Sequence, residues 1–322
     1  MKQAGVVLVA LFAAAAIAAP VVAPHAVDAR FPGLLSAPPT WPHRAADGEL
    51  AIYPWVLINQ LEQRYELDPS REVPLHWFSD GRLVTSDDDE SAPLLLLGAD
   101  SFGHDVFSRL IFGARTSLAL ALASALGALI LGTAGGGIAG YAGGAIDDAL
   151  MRASDFMMVL PAMYVALALR SVMPLVLPAS TVFGLLVSIF AVLGAPFIAR
   201  GVRAIVRSER RLDYVVAAEA LGASATRILV RHLLPATRGY LIVQLTLLVP
   251  AFIVAEATLS YVGLGFPDSI ASWGTMLHDA SANVRVFADF PWLLSPAAAM
   301  FLVVLALNLA LEGRRTGLES VQ

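Results

Sequence analysis

The sequence predicts an all-α integral membrane protein with about six transmembrane helices and a polar segment that follows the first of them. Three observations support this fold class. Of the 322 residues, 57% are hydrophobic and only 15% are charged, and the mean hydropathy of +0.71 is high for a soluble globular domain. Several uncharged runs are long enough to cross a bilayer. Arginine is concentrated in one of the loops between them, which is typical of a loop that stays inside the cell.

The first predicted membrane segment is the uncharged run from Val6 to Ala23, which follows the only lysine, Lys2. A short basic start, an apolar run and small residues before His25 are also typical of a cleaved secretory signal. Under both interpretations the chain starts inside and delivers the following residues outside. We therefore assign residues 1–23 to an N-terminal transmembrane anchor with a cytoplasmic N-terminus.

Residues 24–110 are predicted to be a periplasmic, Pro-rich and acidic segment, since positions 24–115 hold 14 acidic residues against 7 arginines. The alternation over residues 75–84 predicts a short β-hairpin with Asp80 and Gly81 at its turn. The run from Asp87 to Glu90 is interpreted as a solvated loop, because the spacing of an EF-hand calcium site is absent. This segment could dock a binding protein, contact another subunit or simply be tolerated.

Five further membrane segments are predicted in residues 111–322: Thr116–Tyr141, Phe156–Leu177, Ser180–Ala199, Tyr240–Val262 and Trp292–Leu311. Their orientation follows from arginine, because short cytoplasmic loops are enriched in it. The loop 200–239 carries eight arginines, and the C-terminal tail carries Arg314 and Arg315. The loop and both termini are therefore predicted to be cytoplasmic, in a multi-pass protein of the cell inner membrane.

The arginine-rich loop predicts two short helices joined by a tight turn. Residues 212–221 are Ala-rich and helical, Gly222 suits a left-handed position after the helix, and Ser224 can cap a second helix that Pro235 ends after Leu234. The pair could lie on lipid headgroups as an amphipathic unit. Alternatively, its small residues would allow close approach of a soluble protein partner.

This loop resembles the cytoplasmic EAA loop of binding-protein-dependent ABC importers. The pattern of that family is Glu-Ala-Ala, a Gly four residues after the second Ala, and a closing Leu-Pro. The matching positions here are Val216, Ala217, Ala218, Gly222, Leu234 and Pro235. Val216 departs from the pattern, so this position lacks the glutamate that would form the family's salt bridge to the ATPase. Glu219, one turn further on, is a candidate substitute.

Three other stretches resemble the second-permease branch of the dipeptide/oligopeptide (peptide/nickel) ABC importer family. They are LLGADSFGHDVFSRLIFGARTSL (96–118), GYAGGAIDDALMRASD (140–155) and AEATLSYVGLGFPDSIASWGTML (255–277). In the first, Ala99 and His104 stand where the branch has Thr and Arg. The likeness covers about residues 96–309, whereas residues 24–95 and the tail after Asn308 match poorly.

The resemblance implies a type I ABC importer permease bundle over residues 111–322. Its expected partners are a companion permease in a heterodimer, two cytoplasmic ATPases, a periplasmic or lipid-anchored substrate-binding protein and membrane lipid, with no nucleic acid. The loop 212–235 would insert into the ATPase and transmit its motion to the translocation path. The residues assigned to this docking are Val216, Ala217, Ala218, Glu219, Gly222, Ala223, Ser224, Arg231 and Pro235.

No cofactor, metal or catalytic site is expected in this chain. A P-loop needs a lysine after a Gly-rich turn, and Lys2 lies in no such turn, so ATP and magnesium would be bound by the partner ATPase. There is no cysteine for a thiolate or disulfide site. A metal site at Asp100, His104 and Asp105 is disfavoured, because His104 occupies a position that is Arg in the resembling motif.

Two features inside the membrane segments are candidates for helix packing or for the translocation path. Gly132, Gly136 and Gly140 recur every four residues, so they share a helix face and favour close packing of another helix over contact with cargo. Glu256 is ionisable inside a span and is a candidate for substrate contact, subunit pairing or structural pairing. Asn308 is expected to hydrogen-bond between helices.

Peptide is the expected cargo, and nickel or another small solute is the alternative within the same family. A membrane enzyme with an exported acidic loop would need clustered catalytic or metal-ligating residues, and the six histidines show no such spacing. A secondary transporter would need inverted repeats and buried ionisable pairs, which Glu256 alone does not provide.

Overall fold

The computed structural model describes residues 2–45, 48–79, 81–172, 174, 177–282 and 285–319 and is dominated by helices. In chain order these are α1 (Lys2–Ile17), α2 (Ala19–Val22), α3 (Val106–Ala142), α4 (Gly144–Val159), α5 (Ala162–Ser171), α6 (Ala179–Glu209), α7 (Asp213–Ala220), α8 (Ala225–Ile228), α9 (Arg238–Tyr261), α10 (Trp273–Ser281) and α11 (Ser295–Glu319). Within the described residues, four helical stretches are long and apolar enough to cross a membrane: Val106–Ala142, Ala179–Glu209, Ala225–Tyr261 and Pro291–Ala310. The protein is therefore a multi-pass membrane protein.

The predicted count of six spans is not reached by single helices. The predicted span Phe156–Leu177 is wrong as one helix, because α4 and α5 meet at a bend of 86°. Leu160 has an extended backbone with ψ 129°, as expected for a residue that precedes a proline, here Pro161. Residues 173, 175 and 176 of that span lie outside the described residues. The first predicted span, Val6–Ala23, falls on α1 and α2, and α1 is a shorter apolar helix of 16 residues.

The segment between α2 and α3 contains β-strands, so the all-α prediction is wrong there. The strands are β1 (His43–Arg44), β2 (Leu50–Ile52), β3 (Trp55–Asn59), β4 (Arg64–Leu67), β5 (Val73–Trp77) and β6 (Val84–Ser86). The first sheet has the order β1-β2-β5-β6, and β3 pairs with β4 in a separate hairpin. The fold follows from alternation, because Ile52, Val73 and Leu75 point into one apolar core with Ala92 and Leu94.

Strands β5 and β6 confirm the predicted hairpin. They pair antiparallel, with Leu75 opposite Ser86 and Trp77 opposite Val84. Gly81 lies in the turn with φ +74°, and Asp80 is outside the described residues. The acidic run Asp87–Glu90 lies just beyond β6, where Asp87 and Glu90 are exposed, as expected of a solvated loop, and Asp88 pairs with Arg71.

The chain divides into two compact units. One comprises residues 1–117 and 257–322, and the other comprises residues 118–256. The divisions fall inside α3 and inside α9, so both helices contribute to both units.

In the first unit, α1 packs along α11. A Cβ atom added at Gly5 would lie 2.8 Å from the carbonyl oxygen of Ala306 and 2.5 Å from the backbone nitrogen of Ala310, so only glycine allows this approach. Ala16 and Ala19 of the same chain segment are also buried. Small residues let helix backbones approach closely in membrane proteins. The N-terminal helix is therefore built for contact with α11.

Trp273 anchors α10 to the first turns of α3. Its indole Nε1 donates a hydrogen bond of 3.1 Å to the carbonyl of Leu110, and its backbone N–H donates one of 3.2 Å to the hydroxyl of Ser117. The side chain is fully buried, and Ser272 and Thr275 cap α10 reciprocally. The segment 255–277 thus uses its Ser-Trp-Gly sequence to position α10.

His104 lies in a buried ionic network in the first unit. Arg30 Nε donates to His104 Nε2 at 2.9 Å, and His104 Nδ1 lies 2.8 Å from Asp100 Oδ2. Arg109 approaches the same Asp100 oxygen at 3.3 Å and Asp279 at 3.8 Å. Both ring nitrogens of His104 therefore have protein partners. Within the described residues, no group of three or more His, Asp or Glu side chains is arranged to hold a metal ion.

His25 is a buried cation in the same unit. Its ring is 3% exposed, with Nδ1 3.1 Å from Asp105 Oδ2 and Nε2 3.6 Å from Asp89 Oδ1. Burial alone would lower the pKa of His25, but the hydrogen bond to Asp105 and the charge of Asp89 outweigh it and raise the pKa to about 9. The ordinary histidine pKa is 6.5. Protonated His25 therefore stabilises the segment that begins at residue 24.

We predict that this contribution is lost as the pH rises through about 9. The pKa of His25 is higher in the folded than in the unfolded chain, so the stabilisation is complete below about pH 6.5 and on the order of 3 kcal/mol by linkage. His25→Gln should lower the thermal unfolding midpoint at pH 7 and flatten its decline between pH 7 and 10. The half-exposed His76 provides the control His76→Gln. Parallel declines in wild type and His25→Gln would contradict the prediction.

Candidate functional site

The loop between α6 and α9 consists of two short arms that are anchored from inside and exposed at their tip. Val215 on the first arm, α7, is 0% exposed, and Ile228 on the second arm, α8, is 1% exposed. Val216 and Leu221 are 54% and 88% exposed. These exposed apolar side chains make the tip a candidate surface for binding another molecule.

The turn between the arms is tight, as the sequence predicts, and it is a Schellman motif. Gly222 has φ +78°, a conformation that L side chains rarely adopt. Its N–H bonds the carbonyl of Glu219 at 2.9 Å, and the N–H of Ala223 bonds the carbonyl of Ala218 at 3.1 Å. Ser224 then caps α8 by accepting from the N–H of Arg227 at 3.4 Å. These bonds fix the angle between the two arms. We call residues 212–237, which hold both arms and the turn, the elbow.

The second arm does not end at Pro235, which corrects the sequence prediction. After α8 the chain forms a π-helical turn (Leu229–Leu233) and a 3-10 turn (Leu234–Thr237) and enters α9 without leaving the helical path. Pro235 lies in the first turn of the 3-10 segment, where a missing N–H costs little. The π-helical turn keeps the backbone helical up to the 3-10 segment that contains Pro235. Arg231 lies on this arm and is exposed.

Ionic and aromatic contacts hold the first arm to the end of α6. Arg210 lies 3.9 Å from Glu219 and 4.5 Å from the ring centre of Tyr141. The hydroxyl of Tyr214 donates to Glu209 at 2.6 Å, and this bond raises the pKa of Tyr214 to about 12. Glu219, the candidate substitute for the glutamate missing at Val216, is therefore already paired within its own chain.

The second arm and the start of α9 contact the membrane helices of their own unit at two glycines. A Cβ atom at Gly137 of α3 would lie 3.3 Å from the side chain of Leu234 and 3.5 Å from that of Leu229. Gly201 of α6 faces the ring of Tyr240 at the start of α9, and the Tyr240 hydroxyl donates to the carbonyl of Phe197 at 3.0 Å. The second arm is thus packed onto α3, and the start of α9, which continues it, is packed onto α6.

The glycine series of α3 faces α6. A Cβ atom at Gly132 would lie 2.7 Å from the carbonyl oxygen of Ala195, and one at Gly140 would lie 2.8 Å from that of Arg203. Gly136 is closest of all, against the backbone of Ala199. Small residues at this spacing let the two helices approach closely.

We predict that Gly136→Ala destabilises the protein, because the added methyl group meets backbone atoms that cannot rotate away. Overpacking of this kind costs about 1–3 kcal/mol. The neighbouring Gly135 has no atom within 4 Å of an added Cβ, so Gly135→Ala is a matched control in the same helix. Thermal unfolding in detergent should show a lower midpoint for Gly136→Ala and an unchanged or slightly higher one for Gly135→Ala. Equal midpoints would contradict the packing described.

Glu256 and Asn308 occupy different environments. Glu256 is 0% exposed in the last part of α9. Within this chain the amide of Asn308 donates to the carbonyl of Val304, four residues earlier in α11, at 2.9 Å, and a bond to another helix stays a prediction. A polar side chain in a helix can satisfy itself in this way, and sequence alone does not reveal which partner it takes.

The sequence did not predict the ion pairs between α4 and α6. Arg203 Nη2 donates to Asp147 Oδ2 at 2.6 Å, and Arg207 lies 3.6 Å from the same carboxylate. Asp155 pairs with Arg200. The acidic residues belong to the motif at 140–155 and the arginines to the cytoplasmic-loop signal, so each was visible, but their pairing depends on tertiary contact.

Comparison with known proteins gives a consistent family. Residues 132–319 match the family described as "Binding-protein-dependent transport system inner membrane component". The chain is 35% identical to the oligopeptide transport system permease protein OppC of Bacillus subtilis over 69% of this chain and 70% of the relative. It is 34% identical to the dipeptide permease protein DppC of the same organism over 83% and 75%. It is also 34% identical to the glutathione permease protein GsiD of Pectobacterium atrosepticum over 69% and 71%.

Proposed function

This chain belongs to the family of binding-protein-dependent transport system inner membrane components, and we propose that it is a permease subunit of an ATP-driven importer of di- or oligopeptides. The substrate class is supported by relatives named for oligopeptide and dipeptide transport. The chain itself performs transport rather than a chemical reaction.

The elbow is the observation that carries this proposal. Its apex is an 88% exposed leucine, Leu221, beside a hydrogen-bonded turn at Gly222. Its second arm runs as one helical stretch, Ala225–Tyr261, into the membrane. A partner that grips the apex would therefore displace a helix that also packs on Gly137 and Gly201. This arrangement suits a lever that receives motion from outside the membrane.

The proposed topology has six spans: α1 with α2, α3, the bent pair α4–α5, α6, α9 and α11. The stretch Lys2–Val22, which contains α1 and α2, covers 21 residues, about 31 Å of rise, which matches the hydrocarbon core of a bilayer. Both termini and the loop 200–239 then lie in the cytoplasm, and residues 24–105 lie on the outer side of the inner membrane. The eight arginines of the loop favour this orientation.

The N-terminal helix is proposed to remain in the mature protein. A cleaved signal has no long-term partner, whereas Gly5 is fitted to the backbone of Ala306 and Ala310. Removal of residues 1–23 would leave an unfilled groove on α11 where α1 now packs closely. We therefore assign them to a transmembrane anchor that packs on α11.

The proposed assembly contains a companion permease, two ATPases and an external substrate-binding protein. ATP and magnesium would be bound by the ATPases, and this chain would bind no cofactor. The elbow docks on an ATPase through Val216, Ala217 and Leu221 in particular, because these exposed residues surround a turn with little side-chain bulk.

We predict that Leu221→Asp uncouples the importer without unfolding this chain. The Leu221 side chain is 88% exposed, so the change removes an apolar contact to the partner and little within the subunit. A charge placed in an apolar interface without a counter-ion weakens binding by several kcal/mol. ATP-dependent peptide uptake in vesicles should be lost, and pull-down of this chain should recover less ATPase.

The matched control is Leu61→Asp, which makes the same change at a 95% exposed leucine in the β3–β4 turn. Its uptake and ATPase recovery should equal those of wild type. Gly222→Trp should also abolish uptake while membrane insertion persists. Normal uptake by both loop variants would contradict a docked elbow, as would uptake by this chain alone without an ATPase.

A further inference from the structure

The β5–β6 hairpin ends in two aromatic residues that its own sheet does not bury. Along β5, Val73 and Leu75 point into the core and are 4% and 5% exposed. Trp77 continues this inward series but lies beyond the core and is 54% exposed. The next ring, that of Phe78, is 78% exposed. The hairpin tip therefore presents two apolar rings outward.

The backbone at Phe78 is held in an unfavourable conformation. Its φ of +55° lies in the left-handed region, which costs a bulky residue about 1–2 kcal/mol. The N–H of Phe78 donates to the carbonyl of Leu83 at 3.0 Å and closes the turn. Strain of this kind is concentrated at positions where a side chain has a function. The exposed ring of Phe78 is thus presented at an energetic cost.

Two hydrogen bonds tie this hairpin to the end of the first membrane segment. The N–H of Leu83 donates to the carbonyl of Val21 at 2.6 Å, and the guanidinium of Arg82 donates to the carbonyl of Pro24. Val21 is the penultimate residue of the 21-residue stretch α1–α2. In the proposed topology, Val21 therefore lies where the hydrocarbon core meets the outer headgroups.

We propose that Trp77 and Phe78 form an interfacial anchor that binds the 24–105 segment to the outer leaflet of the lipid bilayer. Tryptophan is enriched at this depth because its ring is apolar with one polar N–H. The helix end below the hairpin also suits lipid, since Ile17 is 79% and Val21 48% exposed. The anchor would hold the sheet, with its edge strand β6 nearest the membrane, in a fixed orientation. This inference rests on the topology proposed above.

A matched pair of labelled variants tests the anchor. The chain has no cysteine, so Phe78→Cys and Trp41→Cys each introduce one site, and the unsubstituted importer labelled in parallel gives the background from other subunits. Both rings are 78% exposed. Trp41 precedes β1, at the opposite edge of the sheet from β6, and β1 lies two strands from β5, roughly 10 Å away at ordinary strand spacing. A nitroxide is attached at each site, and the whole importer is placed in nanodiscs of phosphatidylethanolamine and phosphatidylglycerol.

The label at position 78 should be relaxed more by oxygen, which partitions into lipid, than by an aqueous nickel chelate, and the label at position 41 should show the reverse. Equal access of the nickel chelate to both labels would overturn the anchor. Loss of access to both reagents at position 78 would also overturn it, because a protein subunit would then cover the ring. Orientation is read separately: an impermeant maleimide that fails to reach Trp41→Cys in right-side-out vesicles would reject the topology itself.

Discussion

The left-handed backbone at Gly222 is the constraint on which the elbow depends. Helix α7 must end and α8 begin within a few residues, and the Schellman bonds at Gly222 and Ala223 achieve this. With the turn fixed, Val215 and Ile228 can both be buried on the two arms while Leu221 stays exposed at the apex. A flexible loop would leave the apex without a defined position. The elbow can therefore behave as a rigid body under load.

The helical path through Pro235 extends that rigidity into the membrane. A helix that ended at this proline would have left a flexible joint between the elbow and α9. The π turn at Leu229–Leu233 instead keeps the backbone wound, and Leu229 and Leu234 pack on Gly137. Displacement of the apex would then reach α3 as well as α9. The small side chains of α3 serve both this contact and its close packing on α6.

The sequence predicted the features that depend on neighbouring residues. The glycine turn, the Ser224 cap, the β5–β6 hairpin and the long uncharged helices all follow from local rules. Features that depend on distant contacts were not predicted. The remaining strands are short and paired across loops, and Asn308 bonds its own helix. The helix breaks between α4 and α5 at Pro161, whereas the helical path continues through Pro235. The same residue type thus has different effects according to its tertiary surroundings.

The proposed docking surface has to function without the glutamate that the family pattern provides. Val216 stands in its place, and Glu219 is only partly free to replace it because Arg210 of the same chain lies 3.9 Å away. The exposed residues that remain around the turn are largely small or apolar. Apolar contact is weakly directional, so its specificity must come from shape. The proposed docking therefore depends on the fixed geometry of the elbow more than on any single charge: without a salt bridge to select the partner, the position of Leu221 would have to do so.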